Sequence, residues 1–249
     1  MLNNVIKEFE KFILNYDLND SRIKYKYDHS YRVMDISETI AKAINLSDED
    51  IILAKIIALL HDVGRFEQLK VYNSFVDHES IDHGLLGSSM LFKDNLIRSF
   101  IKDNKYDEII KKAIINHNKP KVEEGLNEKE LLHAKIIRDA DKIDILMAKA
   151  TGLLKQNNKV LETDIISDEI YNDFFKEETI NNTKRKTSLD KWISQFAFIF
   201  DINYSCSLKI IKEHKYIETI FNSISFKNKE TIKRVEKIRE FTMDYLNKN

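Results

Sequence analysis

His61 and Asp62 stand side by side at the end of an apolar run, in Ala58-Leu59-Leu60-His61-Asp62-Val63-Gly64-Arg65. Imidazole nitrogens and carboxylate oxygens both bind metal ions, and a mixture of the two suits a transition ion better than an all-oxygen calcium site. A His-Asp dipeptide alone is too short to carry weight. Weight comes from the other candidate ligands: His29 in His29-Ser30-Tyr31-Arg32-Val33, His83 in His83-Gly84-Leu85-Leu86-Gly87, His117 after Ile114-Ile115, and Asp141 in Arg138-Asp139-Ala140-Asp141-Lys142. Neighbours on a helix diverge by about 100 degrees, so His61 and Asp62 cannot chelate one ion from one face as an i, i+4 pair does. They can flank two ions instead.

Helices are the elements expected to position these groups. One proline and 5 glycines in 249 residues leave little punctuation for a multi-stranded protein, and the apolar spacing is repeatedly helical. The fold class read from this pattern is all-α. Residues 51–60 are apolar almost all round, as a central buried helix requires, with Ser47 and Asp50 as a capping box at its start. Ile109, Ile110, Ala113 and Ile114 form one face ahead of His117, and Leu132, Ile136 and Ala140 do so ahead of Asp141. Asn127 is placed to cap the second of these helices. Four glycines and Pro120 fall between residues 64 and 125, so turns there are expected to shape a pocket.

The order His29, His61-Asp62, Asp141, with His83 and His117 between the last two, resembles the HD superfamily of metal-dependent phosphohydrolases over roughly residues 20 to 155. The resemblance implies a helical bundle over residues 1–155, with 156–249 as an additional C-terminal helical subdomain packed on the core. It implies that Asp62 bridges two ions, with His29, His61 and Asp141 completing one shell and His83 and His117 the other. One or two divalent ions per chain are expected, Mn or Fe first, with Co, Ni, Zn or Mg as alternatives. The implied activity is hydrolysis of a phosphomonoester or phosphodiester of a small molecule, with a nucleotide as the candidate substrate, by metal-activated water. The Gly-Tyr-Pro signature of cyclic-dinucleotide phosphodiesterases is absent, because His117 is followed by Asn118-Lys119-Pro120. Two other readings share this ligand pattern: a diiron oxygenase of the same superfamily, and a nucleotide-binding signalling module without turnover.

Arg65, three residues beyond the pair, is a candidate phosphate clamp through its planar donor fork, against a salt bridge to Glu67 or another acid. Asp62 and Lys142 join it as candidate catalytic groups, for proton transfer and for phosphate charge, and Lys119 is a second candidate cation at the rim. His83 competes with His78 of Asp77-His78 and is preferred because Gly87 and Leu91 follow at helical spacing. Asp141 is preferred over Asp139 and Asp144 by its place after Ala140. His133 and His214 lack a matching context and read as structural or surface residues. Trp192, Phe196 and Phe200, at successive helical turns, read as core packing.

Composition bounds the rest. With 43% apolar residues the chain can bury a substantial core. Forty basic and 41 acidic residues give a net charge of -1, so no global field draws nucleic acid or an acidic membrane. Anion binding must therefore be local. The polar start Asn3-Asn4-Val5-Ile6-Lys7-Glu8 has no secretory pattern and the lone Cys206 allows no internal disulfide, so a cytoplasmic location without a membrane span is expected.

Overall fold

The computed structural model describes residues 1–249 and is built from helices and turns without a strand. Two compact units, Met1–Asp141 and Lys142–Asn249, divide the chain. The first contains α1 (Leu2–Ile13), α2 (Ser21–Ala43), α3 (Asp48–Leu60), α4 (Val63–Tyr72), α5 (His83–Ser88), α6 (Ile97–Phe100), α7 (Asp107–Asn116) and the larger part of α8 (Glu128–Ala150). The second contains the end of α8, then α9 (Asn158–Thr163), α10 (Asp168–Phe174), α11 (Ser188–Ser194), α12 (Ser205–Glu213), α13 (Tyr216–Asn222) and α14 (Lys229–Lys248). The division thus falls inside α8, whereas the sequence places it just beyond. Nothing in α8 breaks a helix, and the first break is Gly152, whose left-handed φ of 76° ends the run.

In the first unit α3 is the buried axis. Leu53, Ile56, Ile57, Leu59 and Leu60 are essentially inaccessible, and each such side chain contributes roughly 1.5–3 kcal/mol of burial. Helix α2 packs along α3, and α1 covers α3 with Val5, Phe9, Phe12 and Ile13 from one stripe. Helices α4, α5 and α7 pack in sequence beside them. At the start of α3 only half of the expected box forms: the Ser47 hydroxyl accepts from Asp50 N–H, but the Asp50 carboxylate accepts from that hydroxyl and from Lys129. Asp50 is diverted because the ammonium of α8 competes for it. The reciprocal box forms instead at Asn127, where Glu130 N–H donates to the Asn127 side chain and Asn127 N–H to the Glu130 carboxylate.

In the second unit Trp192 and Phe196 are buried, and Phe196 stacks on Phe221 with centroids 4.0 Å apart. Phe200 packs against Phe174 and Tyr245. The aromatic series is core, as its spacing suggested. No helix is long and apolar enough to cross a membrane.

Candidate metal centre

Four elements and one helix junction deliver the six candidate ligands. His29 projects from mid-α2, where it is fully buried. His61 caps the end of α3 and Asp62 begins α4, so the chain turns between them and their side chains are no longer bound to the divergence of one helix. His83 opens α5, His117 caps the end of α7, and Asp141 lies on α8.

Two glycines make the α4–α5 crossing close. A Cβ on Gly64 would lie 2.2 Å from the His83 carbonyl oxygen and 2.6 Å from Gly87 N, so backbone meets backbone there. His83 is thereby held against Asp62. The loop after His117 is held from α8: buried Arg138 donates from Nη1 to the carbonyls of Asn116 and Lys119 at 2.6 Å each, and from Nη2 to Pro120 at 3.3 Å.

Hydrogen bonds at the outer nitrogens fix three imidazole tautomers. His61 Nδ1 donates to Ala58 O and His117 Nδ1 to Ile114 O, both at 2.7 Å, while His83 Nδ1 donates to Asp77 Oδ2 at 2.7 Å. Each ring therefore presents a bare Nε2 lone pair to the interior. Burial pushes the His61 pKa down to about 3, against the attraction of Asp62. Burial, then the Arg65 charge, lowers His83 to about 4, against its bond to Asp77. Both are neutral, ligand-ready bases at neutral pH. Asp62 and Asp141 stay ionised: burial opposes their charge, but Lys26 and the histidines around Asp62, and His29 and His61 around Asp141, hold both well below the usual carboxylate range.

The inward atoms fall into two groups that share Asp62. Its Oδ1 lies 3.4 Å from His83 Nε2 and 3.6 Å from His117 Nε2, and those two nitrogens are 2.9 Å apart. Its Oδ2 lies 3.4 Å from His29 Nε2 and 3.5 Å from His61 Nε2, and Asp141 Oδ1 lies 3.2 Å from His29 Nε2 and 3.9 Å from His61 Nε2. Facing lone pairs at 2.9 Å repel unless a cation lies among them. His61 Nε2 and Asp62 Oδ1 are buried without a hydrogen-bond partner, a costly condition that a bound cation would relieve. Both groups meet the proximity expected of metal ligands. The residues present fit a divalent ion in each.

Of the three cations considered for the site, Arg65 takes the alternative reading of a salt bridge to another acid, and Lys142 and Lys119 are each paired with a carboxylate. Arg65 Nη1 donates to Asp77 Oδ1 at 2.7 Å, to Gln68 and to the Phe75 carbonyl, with its Nε 3.8 Å from Asp62 Oδ1. It is tied to the carboxylate that orients His83: of the acids open to it, Glu67 or another, its salt bridge is to Asp77. Lys142 Nζ pairs with Asp201 at 2.8 Å, and Lys119 with Glu123 at 3.1 Å. The ammonium on the cluster is Lys26, whose Nζ donates to Asp62 Oδ2 at 2.6 Å. Its signal in the sequence was its position three residues before His29, on the same face of α2. Asp77 carries no signal of its own in the sequence, where it adjoins His78, a surface residue beside Glu79. His133 is buried against Asp50 at 3.4 Å, and His214 stacks on Tyr216.

The fold and these side chains define an all-helical domain that gathers buried histidines and aspartates into groups that could hold a metal ion. Residues 27–146 match the family model described as HD domain, which supports a protein of the HD-superfamily type. No curated protein and no solved structure matches the chain.

Proposed function

We propose that this protein is a metal-dependent phosphohydrolase acting on a phosphoester of a small molecule, with nucleotides the first class to test. The observation that carries the reading is Asp62, whose two oxygens each face a separate pair of imidazole nitrogens. A bound pair of divalent ions supplies Lewis acidity to a phosphoryl oxygen and acidifies a water molecule. The protein's own part is preorganisation. His61, His83 and His117 are oriented with Nε2 toward the interior by their Nδ1 hydrogen bonds, Asp77 and Arg65 hold the His83 ring, and Asp62 and Asp141 supply negative charge kept ionised by their neighbours. Lys26 balances Asp62 and sets positive charge beside it, where a phosphate would be stabilised.

The test is phosphate release from a panel of nucleotides, cyclic nucleotides and sugar phosphates by protein reconstituted with Mn, Fe(II), Co, Ni, Zn or Mg. Release that requires the ion and is lost in His61→Ala and Asp62→Ala is the expected result. Oxygen uptake coupled to substrate oxidation, with no ester cleaved across the panel, would overturn the reading in favour of oxygenase chemistry.

A further inference from the structure

The two oxygens of Asp62 are not equivalent. Lys26 Nζ donates to Oδ2 at 2.6 Å, and Oδ2 is the oxygen that lies 3.4 Å from His29 Nε2 and 3.5 Å from His61 Nε2. The group of His29, His61, Asp62 and Asp141 thus already holds a cation of the chain itself. Oδ1, which lies 3.4 Å from His83 Nε2 and 3.6 Å from His117 Nε2, is buried without a hydrogen-bond partner. The guanidinium on that side, Arg65, keeps its Nε 3.8 Å from Oδ1, beyond hydrogen-bond reach, and commits Nη1 to Asp77, Gln68 and the Phe75 carbonyl. All of these residues belong to the first unit.

Donor count alone favours the His29 group. Two imidazoles with two carboxylates carry more ligand charge than the two imidazoles and one carboxylate of the His83 group, and affinity for a divalent ion rises with that charge. Lys26 reverses the balance. A divalent ion entering the His29 group competes with the ammonium for Oδ2, and two cations on one oxygen in a buried site repel strongly. An ion in the His83 group displaces nothing and satisfies an orphaned carboxylate oxygen. Lys26 is also able to leave: its side chain is 15% exposed above an Asp62 that is only 2% exposed. Its flexible four-carbon stem can carry the ammonium to water while α2 stays in place.

We propose, on the reading of the cluster as a two-ion centre, that Lys26 is an internal counter-cation that sets the order of loading. The His83–His117 group takes the first divalent ion, and the His29–His61–Asp141 group takes a second only as Lys26 leaves Asp62 Oδ2. The number of ions bound then follows the free ion concentration, with Lys26 as the competitor at the second step.

The experiment titrates metal-free, full-length protein with Zn against a chromogenic chelator. Wild type should bind one ion tightly and one weakly. His83→Ala should lose the tight ion, and His29→Ala should keep it. In the His83→Ala background, adding Lys26→Met should tighten the remaining ion by about tenfold or more, while adding Lys26→Arg, which keeps the charge, should leave it weak. A gain in affinity is an outcome that misfolding does not produce. Two ions of equal affinity in wild type, loss of the tight ion in His29→Ala but not in His83→Ala, no gain from Lys26→Met, or no ion bound at all would overturn the proposal. Ordered loading in a protein that cleaves no ester of the panel would uphold it and remove the hydrolase reading alone.

Discussion

Asp77 links Arg65 to His83: one carboxylate oxygen accepts Arg65 Nη1 at 2.7 Å and the other accepts His83 Nδ1 at 2.7 Å. An arginine that reads as a phosphate clamp in sequence thus reaches the cluster through a carboxylate and an imidazole. Asp77 is held ionised: its partial burial opposes the charge, but His83 and Arg65 hold it well below the usual carboxylate range. Such carboxylate-to-histidine bonds fix the tautomer and raise the basicity of the inner nitrogen.

Asp77→Asn should therefore weaken the ion held by His83 and His117 by about 10 to 100-fold while leaving the other less affected. Competition with a chromogenic chelator measures this. His78→Ala, on the exposed neighbour, is the control; equal loss in both would remove Asp77 from the site.

Nuclearity has its own pattern. His83→Ala and His117→Ala should each lose one ion per chain, and His29→Ala and Asp141→Ala should weaken the other, as read by elemental analysis after desalting. Unchanged stoichiometry in the first pair would mean a mononuclear site.

Lys26 and a divalent ion seek the same oxygen, Asp62 Oδ2. In metal-free protein Lys26→Met leaves a buried carboxylate without its ammonium, a loss of about 3 kcal/mol by the behaviour of buried pairs. The metal-free variant should melt below wild type, and saturating Mn or Zn should raise its Tm by more than it raises that of wild type. Parallel shifts in the two proteins would separate Lys26 from the ion's place.

Gly64→Ala tests the backbone crossing beneath His83. The added Cβ meets backbone atoms at 2.2 and 2.6 Å, so α4 and α5 must part, at a cost of about 3 kcal/mol and with displacement of His83. Denaturant titration should register the loss, and metal content should fall at the same time. At Gly125, by contrast, an added Cβ meets open space, and only its φ of 81° opposes alanine, at about 1 kcal/mol.

Lys149 gives a pH signature in phosphate-free buffer. Its folded pKa of about 7 lies below the ordinary value of 10.5, so between those limits the unfolded chain binds more protons and stability rises with pH. That contribution is lost as pH falls toward 7. Burial is the main cause, and the charge of Arg185, which stays protonated over most of this window, adds to it. Lys149→Met removes the dependence, so its advantage in Tm over wild type should be largest near pH 7 and vanish toward pH 10.5. A constant difference would contradict the assignment.

The sequence by itself determined the all-α class, the buried character of α3, and the set of ligand types, because helical periodicity and metal-ligand chemistry are written in residue identity and spacing. His29, His61, Asp62, His83, His117 and Asp141 were all legible as candidates, and the structure brings them together. What the cations do was decided by tertiary structure alone. Arg65, Lys142 and Lys26 carry the same charge, and which acid each reaches depends on where helices cross. The Gly64–Gly87 contact and the diversion of Asp50 to Lys129 have the same origin. Local patterns fix what each residue can do; only the packing of distant segments fixes which partner is within reach, since a hydrogen bond or ion pair exists only over the last 3 Å or so.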